Sequence, residues 1–113
     1  MKSVFAAPGD RVWGLNRNDD VFYREGINGT WQQINRKVSL ISVARDGRVW
    51  AVNSKEDVYT REGVDEMGNW QKIDGKFKFI YAGGVGGVYA STSKDDIFYR
   101  ESVEGTWRQI EGN

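Results

Sequence analysis

Short apolar runs alternate with polar or glycine-containing breaks along the whole chain, and each run is four or five residues long. The runs are rich in β-branched and aromatic residues, which is typical of strands. No stretch keeps a helical apolar period over three turns, so no helix is predicted. The pattern therefore predicts an all-β chain.

The runs fall into three successive sets of four. The first strands are predicted at Val4–Ala7, Leu40–Ala44 and Phe79–Gly83. The second strands are predicted at Val12–Leu15, Val49–Val52 and Val88–Ser91. The third strands are predicted at Val21–Glu25, Val58–Glu62 and Ile97–Glu101. The fourth strands are predicted at Thr30–Ile34, Asn69–Ile73 and Thr106–Ile110.

The three sets are copies of one unit. Trp13 and Trp50 are 37 residues apart, and Trp31 and Trp70 are 39 apart. Four antiparallel strands in a tandem period of about 38 residues are the layout of β-propeller blades. The sequence predicts a single domain over residues 1–113, with blades at about residues 1–36, 37–75 and 76–113.

Glycine and polar residues mark the turns. Asp46 and Gly47 join a first run to a second, where glycine supplies the positive φ that a tight hairpin needs. A glycine stands two residues before the tryptophan of each fourth run, at Gly29, Gly68 and Gly105. The middle copy has two extra residues around positions 65–67, which places that turn at the surface.

Both faces of a propeller blade are covered by neighbouring blades, which predicts nearly continuous apolar strands. Small residues are expected in the innermost strands, near the axis, at Ala6, Ala7, Ala44, Ala82 and Gly83. Large aromatic residues in the second strands are interpreted as packing between blades, and they are Trp13, Trp50 and Tyr89.

Composition excludes several functions. The 16 basic and 16 acidic residues are interleaved, so no basic block follows a phosphate backbone or a membrane surface. The chain has no Cys and no His, which removes disulfides, thiolate chemistry, the commonest general base and the commonest transition-metal ligand. No segment is apolar enough for membrane insertion or a signal peptide. A soluble, cytoplasmic protein is the default expectation, and secretion is not excluded.

The first copy carries the segments Val12–Asn16, Asp20–Arg24 and Gly29–Trp31. The middle copy carries Ile41–Ala44, Val49–Asn53, Asp57–Arg61 and Gly68–Trp70. These segments resemble the tectonin repeat of slime-mould, fungal, fish-egg and horseshoe-crab lectins, and the resemblance covers essentially the whole chain. It implies a glycan-binding propeller, with a role in defence against microbes or parasites. The third copy is looser, with Tyr89 in place of tryptophan and Thr92 in place of asparagine.

Members of this family generally close six blades in one chain, whereas this sequence holds three. An open half-ring would expose two apolar blade faces, and monomers rarely expose apolar patches beyond a few hundred Å². Two chains related by a two-fold axis would cover both faces. We therefore expect a homodimer that forms one six-bladed ring. The rivals are a higher multiple of three blades and a piece of a longer protein.

Aromatic, arginine and asparagine side chains at repeated positions are the candidate glycan contacts, namely Asn16, Tyr23, Arg24, Trp31, Asn53, Arg61, Trp70, Tyr99, Arg100 and Trp107. An indole can stack on a pyranose while its N–H donates a hydrogen bond, and arginine and asparagine suit sugar hydroxyls. Each has a structural alternative. The tryptophans can pack between blades, the arginines can pair with the neighbouring Asp or Glu, and the asparagines can shape hairpin turns.

Paired carboxylates such as Asp19 and Asp20 superficially suggest glycoside hydrolysis. They lie at hairpin tips, where water keeps them ionised, and they recur in other copies, so an enzyme is not expected. No cofactor or metal is expected either. The favoured function is a multivalent lectin with weak single sites. A protein–protein scaffold and an engineered or fragmentary half-propeller stay open as alternatives.

Overall fold

The computed structural model describes residues 1–7, 9–26, 28–62, 70–82 and 87–111, and this part of the chain contains strands and turns but no helix. Blade 1 consists of β1 (Ser3–Ala7), β2 (Arg11–Leu15), β3 (Asp20–Glu25) and β4 (Gln32–Lys37). Blade 2 consists of β5 (Leu40–Val43), β6 (Val49–Val52), β7 (Asp57–Arg61) and β8 (Gln71–Lys76). Blade 3 consists of β9 (Phe79–Tyr81), β10 (Val88–Ser91), β11 (Ile97–Arg100) and β12 (Arg108–Glu111).

Each blade is an antiparallel meander in which sequential strands are neighbours. In blade 1, Trp13 on β2 pairs with Phe5 on β1 and with Tyr23 on β3. In blade 2, Trp50 pairs with Ser42 on β5 and Thr60 on β7. The predicted all-β fold with three four-stranded antiparallel sheets is thus confirmed.

The predicted bounds of the fourth strands are wrong by one to three residues. In blade 1 this strand is predicted at Thr30–Ile34 but runs from Gln32 to Lys37. A register shift between Asp20 and Val21 carries the strand past Ile34, so that Lys37 pairs with Asp20. The same shift occurs in blade 2, whereas in blade 3 it falls one residue later on the third strand, between Ile97 and Phe98. Gly68, Gly83 and the insertion around 65–67 lie outside the described residues.

The blades pack face to face through two apolar clusters. The cluster between blades 1 and 2 contains Trp13 and Ile41, and the cluster between blades 2 and 3 contains Trp50 and Ile80. Trp13 and Trp50 are 2% and 1% exposed, as expected for residues that pack between blades. Tyr89 is 48% exposed, because its face of blade 3 has no neighbouring blade within the chain. For Tyr89 the expectation of packing between blades is therefore not met in the single chain.

The inner strands β1, β5 and β9 lie beside one another, which brings the first strand of every blade to one side of the molecule. Ala44 and Ala82 are buried there, whereas Ala6 is exposed in blade 1. The molecule measures 45 by 28 by 22 Å. Its longest dimension is about twice its shortest, as in half of a disc.

Turn chemistry follows the sequence at the hairpins. Gly47 has φ of +92° between β5 and β6, as the Asp46-Gly47 pair predicted. Between the second and third strands the left-handed residue is Asp19 (φ 63°), Glu56 (φ 68°) or Asp95 (φ 69°) in the three blades. The same backbone path is thus built three times.

Candidate functional site

An arginine lies over a tryptophan in every blade. The guanidinium carbon is 5.3 Å from the ring centroid for Arg24 over Trp31. It is 5.2 Å for Arg61 over Trp70 and 5.3 Å for Arg100 over Trp107. The arginine comes from the third strand and the tryptophan directly precedes the fourth. The structure therefore pairs six of the candidate residues in one repeated arrangement, within the range of cation–π attraction.

The indole N–H groups of two of these tryptophans bind the preceding blade. Trp70 donates to the main-chain carbonyl of Asn35 and Trp107 donates to that of Asp74, both at 2.7 Å. Trp70 is 9% exposed, while Trp107 and Trp31 are half-buried. The packing interpretation thus applies to Trp70, and Trp107 also packs against the apolar cluster between blades 2 and 3. The indole N–H of Trp70 and that of Trp107 are engaged by protein, so neither is available to a ligand.

Arg100 is anchored by three protein acceptors. Its Nε donates to the carbonyl of Ser102 at 3.0 Å and its Nη2 to the carbonyl of Val103 at 2.9 Å. Its Nη1 pairs with Asp74 of blade 2 at 2.9 Å. The side chain of Arg100 is only 6% exposed. The sequence suggested a pair with Asp96 or Glu101, and the carboxylate that pairs with Arg100 here is on the preceding blade instead. Arg24 likewise donates from Nε to the carbonyl of Gly26 at 3.0 Å.

These groups meet at the junction between blades 2 and 3, which is called the groove below. Phe77 packs against Trp107 there, at 4.6 Å between ring centroids. Asp74 stands beside the groove with its side chain 76% exposed. Gly75 follows, and a Cβ on it would lie 3.2 Å from Nε1 of Trp107. The absence of a side chain at position 75 therefore lets the main chain approach the edge of the indole closely.

The groove between blades 1 and 2 differs at the same repeat positions, which hold Asn35 and Arg36. The guanidinium of Arg36 lies 4.2 Å from the ring centroid of Tyr59. A cationic side chain thus stands where blade 2 has Gly75. The grooves are not chemically equivalent.

Asn16 and Asn53 shape turns. The amide oxygen of Asn16 accepts N–H bonds from Asn18 at 2.9 Å and Asp20 at 3.0 Å. Asn53 accepts from Lys55 at 3.0 Å and Asp57 at 2.9 Å. Thr92 does the same through its hydroxyl in the third copy. The structure therefore gives these side chains the turn role, and their oxygens are not directed at a ligand.

The hairpin carboxylates are paired with lysines. Asp20 binds Lys37 at 2.6 Å, and Asp57 binds Lys76. The hydrogen bond from Lys37 lowers the pKa of Asp20, and that from Lys76 lowers the pKa of Asp57. A carboxyl group whose pKa is lowered stays ionised and is a poor general acid.

The two candidate tyrosines occupy different surroundings. Tyr23 is 3% exposed and its hydroxyl donates to Glu25 at 3.0 Å. Burial and then this hydrogen bond raise the pKa of Tyr23. Tyr99 lines a shallow pocket of about 270 Å³ with Glu101, Gly105, Thr106 and Arg108. In blade 1 the residues equivalent to Glu101, Thr106 and Arg108 are Glu25, Thr30 and Gln32, and all three are exposed. Blade 2 therefore covers Tyr23 without covering these three neighbours.

Sequence reasoning did not single out Asp74, Gly75 or Arg108. The one signal that could have identified Asp74 is a difference between the copies, because Asp74 stands at the repeat position where the first copy has Asn35. Within the described residues no group of three or more potential metal ligands is close enough to hold an ion. No helix that could cross a membrane occurs in this part of the chain either.

Three stacked four-stranded meanders, with their inner strands side by side, define a β-propeller. The family model of the Tectonin domain matches residues 1–113, so the chain belongs to the tectonin family. This family is generally non-catalytic. No curated protein matches the sequence significantly.

Among solved structures the chain is similar to a β-propeller described as YCF48 bound to D1 peptide, with a TM-score of 0.75 and 14% identity. The match covers 97% of this chain and 39% of that one, so this chain spans well under half of the larger propeller. At this identity the likeness concerns the fold alone.

Proposed function

We propose that this protein is a non-enzymatic carbohydrate-binding protein whose principal glycan site is the groove between blades 2 and 3. The proposal is carried by one observation. The half-buried indole of Trp107 is held next to an ion pair between Arg100 and Asp74, and the side chain of Asp74 is 76% exposed. Membership of the tectonin family supports the same class of function.

The groups in this groove match the chemistry of a pyranose ring. One face of the sugar presents C–H groups, which stack on an indole. The carboxylate of Asp74 has lone pairs beyond the one that Arg100 uses, and these accept hydrogen bonds from two adjacent hydroxyls. Since the N–H of Trp107 already binds the carbonyl of Asp74, the indole contributes its surface and not a hydrogen bond.

The site is also held in place before a ligand arrives. The guanidinium carbon of Arg100 lies 5.3 Å from the ring centroid of Trp107, the ring of Phe77 lies 4.6 Å away, and the indole N–H is bonded. The indole is therefore fixed, and a sugar stacks on the part of it that stays exposed. Ordering a free side chain on binding costs about 0.5–1.5 kcal/mol, and this cost is avoided here. A single shallow site of this kind still binds weakly, so useful binding comes from several sites on one dense glycan surface.

The other Arg–Trp pairs are secondary sites. Trp70 is almost fully buried, and the groove in front of it has Asn35 and Arg36 in place of an acid and a glycine. A sugar loses both the stacking surface and the carboxylate there. We therefore expect weaker glycan binding between blades 1 and 2 than between blades 2 and 3.

A glycan array followed by titration of the best ligand tests the proposal. Trp107→Ala and Asp74→Asn should each weaken binding at least about tenfold, or about 1.4 kcal/mol, because each removes one of the two recognition elements. Asp74→Asn keeps an oxygen that can accept from Arg100, so this variant should keep the fold, which circular dichroism checks. Asp46→Asn, in a hairpin away from the groove, is the matched control and should bind as the parent does.

Protein binding is the second candidate function. The observation in its favour is the match to a propeller whose solved structure contains a bound peptide. An array on which no glycan is bound, with folded protein, would refute the carbohydrate proposal and favour the scaffold.

A further inference from the structure

We propose that the two outer blade faces of this chain bind the outer blade faces of a second copy, so that two molecules close one ring of six blades. The outer face of blade 3 meets the outer face of blade 1 of the other copy, and the reverse contact closes the ring. This surface is distinct from the glycan groove, and the proposal does not depend on sugar binding.

The outer face of blade 3 repeats a surface that is covered twice inside the chain. Trp13 on blade 1 and Trp50 on blade 2 face the following blade and are 2% and 1% exposed. Tyr89 holds the same position on blade 3 and is 48% exposed. Phe79 and Tyr81 share that face and are 41% and 53% exposed. The face therefore has the composition of an inter-blade surface and lacks its cover.

The outer face of blade 1 repeats the complementary surface. Ile41 and Ile80 face the preceding blade and are 2% and 1% exposed. Val4 holds their position in blade 1, where it pairs with Gly14 as Ile41 pairs with Ala51. Val4 is 62% exposed. A preceding blade would bury it as blades 1 and 2 bury its two counterparts.

A second copy supplies both missing partners at once. Inside the chain, Trp13 shares one cluster with Ile41, and Trp50 shares the other with Ile80. The closing contact places Tyr89 in the tryptophan role and Val4 of the other copy in the isoleucine role. The same surfaces are thus used a third time, in the same order.

Open hollows mark both faces. A cleft of about 660 Å³ on blade 1 is lined by Trp31, Arg24, Val12 and other residues, and a hollow of about 420 Å³ on blade 3 is lined by Tyr81, Tyr89, Ile97 and neighbours. The chain exposes 6987 Å², which is more than the roughly 6,300 Å² of a compact monomer of its mass and agrees with uncovered faces.

Ring closure by two copies agrees with the shape. The chain measures 45 by 28 by 22 Å, so its longest dimension is well above the other two, as in half of a disc. A head-to-tail contact that closes after two copies forms a finite dimer, whereas one that fails to close forms an open filament. The half-disc proportions favour the dimer.

The closing contact also gives Trp31 a preceding blade, as Trp70 and Trp107 have within the chain. Trp70 and Trp107 donate to the carbonyls of Asn35 and Asp74, which directly follow Ile34 and Ile73. Residue 111 follows Ile110 in the third copy, and its main chain belongs to β12. In the dimer, the indole of Trp31 lies against the end of β12 in the other copy, as the indoles of Trp70 and Trp107 lie against β4 and β8.

Sedimentation equilibrium tests the proposal with the 113-residue chain. The parent should show twice its 12.9 kDa mass. Tyr89→Lys and Val4→Glu each place a charge in both closing contacts, and each variant alone should be monomeric. Both residues are exposed in the single chain, so both variants should keep the fold, which circular dichroism checks. Ser54→Lys, at an exposed hairpin tip, is the matched control and should remain dimeric.

Mixing the two variants separates the ring from nonspecific association. A mixed dimer has one contact with neither substitution and one that joins the new lysine of the first variant to the new glutamate of the second. An equimolar mixture should therefore recover dimer that neither variant forms alone. A monomeric parent, a mass that grows beyond the dimer with concentration, or variants that dimerise like the parent would each overturn the proposal.

Discussion

The indole N–H of Trp70 donates a 2.7 Å hydrogen bond to the main-chain carbonyl of Asn35, which lies 35 residues earlier on the preceding blade. Trp107 makes the same bond to Asp74. Among the described residues, no strand pairing joins one sheet to the next. These bonds, together with the two apolar clusters, therefore hold consecutive blades in a fixed relation.

Replacement of Trp70 by phenylalanine should lower the free energy of unfolding by about 1–3 kcal/mol, because the carbonyl of Asn35 loses its donor and the buried ring shrinks. Urea denaturation measures the change. Trp107→Phe is the matched comparison and should cost less, since Trp107 is half-buried and water can reach its surroundings. Equal stability of Trp70→Phe and the parent would show that the inter-blade bond contributes nothing.

Gly75→Ala should destabilise the protein more than Gly47→Ala. Both glycines have positive φ, at +103° and +92°, so both substitutions carry a backbone cost of about 1–2 kcal/mol. A Cβ at position 75 would also lie 2.6 Å from the ring of Phe77, whereas one at position 47 meets nothing within 4 Å. Thermal denaturation of the two variants provides the comparison, and equal losses would mean that the Phe77 contact is relieved without cost.

Asn53→Ala should reduce stability without changing glycan affinity. Its amide oxygen accepts two main-chain N–H groups, and a net loss of about 0.5–1.5 kcal/mol is expected for each bond. Asn53→Asp keeps an acceptor in place and should restore most of the stability. Loss of glycan binding in folded Asn53→Ala protein would instead assign this residue to the sugar site.

Stability should fall in acid through Asp57. Its pKa in the folded protein is lowered, chiefly by the hydrogen bond from Lys76, from an ordinary value of 3.8. The folded state therefore binds this proton less readily than the unfolded state. The stabilisation is complete above the unfolded pKa and is lost as pH falls through the lower folded value.

Urea denaturation across the acid range tests this, with Asp57→Asn as the variant. It should be less stable than the parent at neutral pH and should lose less stability on acidification. Glu104→Gln, at an exposed position, should retain the acid dependence of the parent. If Asp57→Asn lost as much stability on acidification as the parent does, the assignment to Asp57 would be contradicted.

The sequence predicted the repeat, the four strands per copy and most strand positions, because these depend on local apolar runs and on glycine-marked turns. It placed the fourth strands too early. The tryptophan before each of them packs against the arginine of its own blade, and a register shift then extends the strand. Such a shift depends on contacts between strands and leaves no local mark in the sequence.

The candidate site was predictable only in part. Repetition identified the Arg–Trp positions, and the structure joins them at 5.2–5.3 Å. The roles of Asp74 and Gly75 were not predictable, because they act on Trp107, which lies 33 residues from Asp74 on another sheet. Asn16 and Asn53 were ambiguous because one amide suits both turns and sugars, and only the hydrogen bonds decide between the two.

Hydrogen exchange of the Trp31 indole proton, followed by NMR, tests most directly the claim that two copies repeat the inter-blade contact. Trp70 provides the internal reference, because its indole N–H is bonded within the chain. The account predicts that the Trp31 proton exchanges slowly in the parent protein and rapidly in Tyr89→Lys, while the Trp70 proton is slow in both. A Trp31 proton that exchanges rapidly in concentrated parent protein, with Trp70 protected, would contradict it.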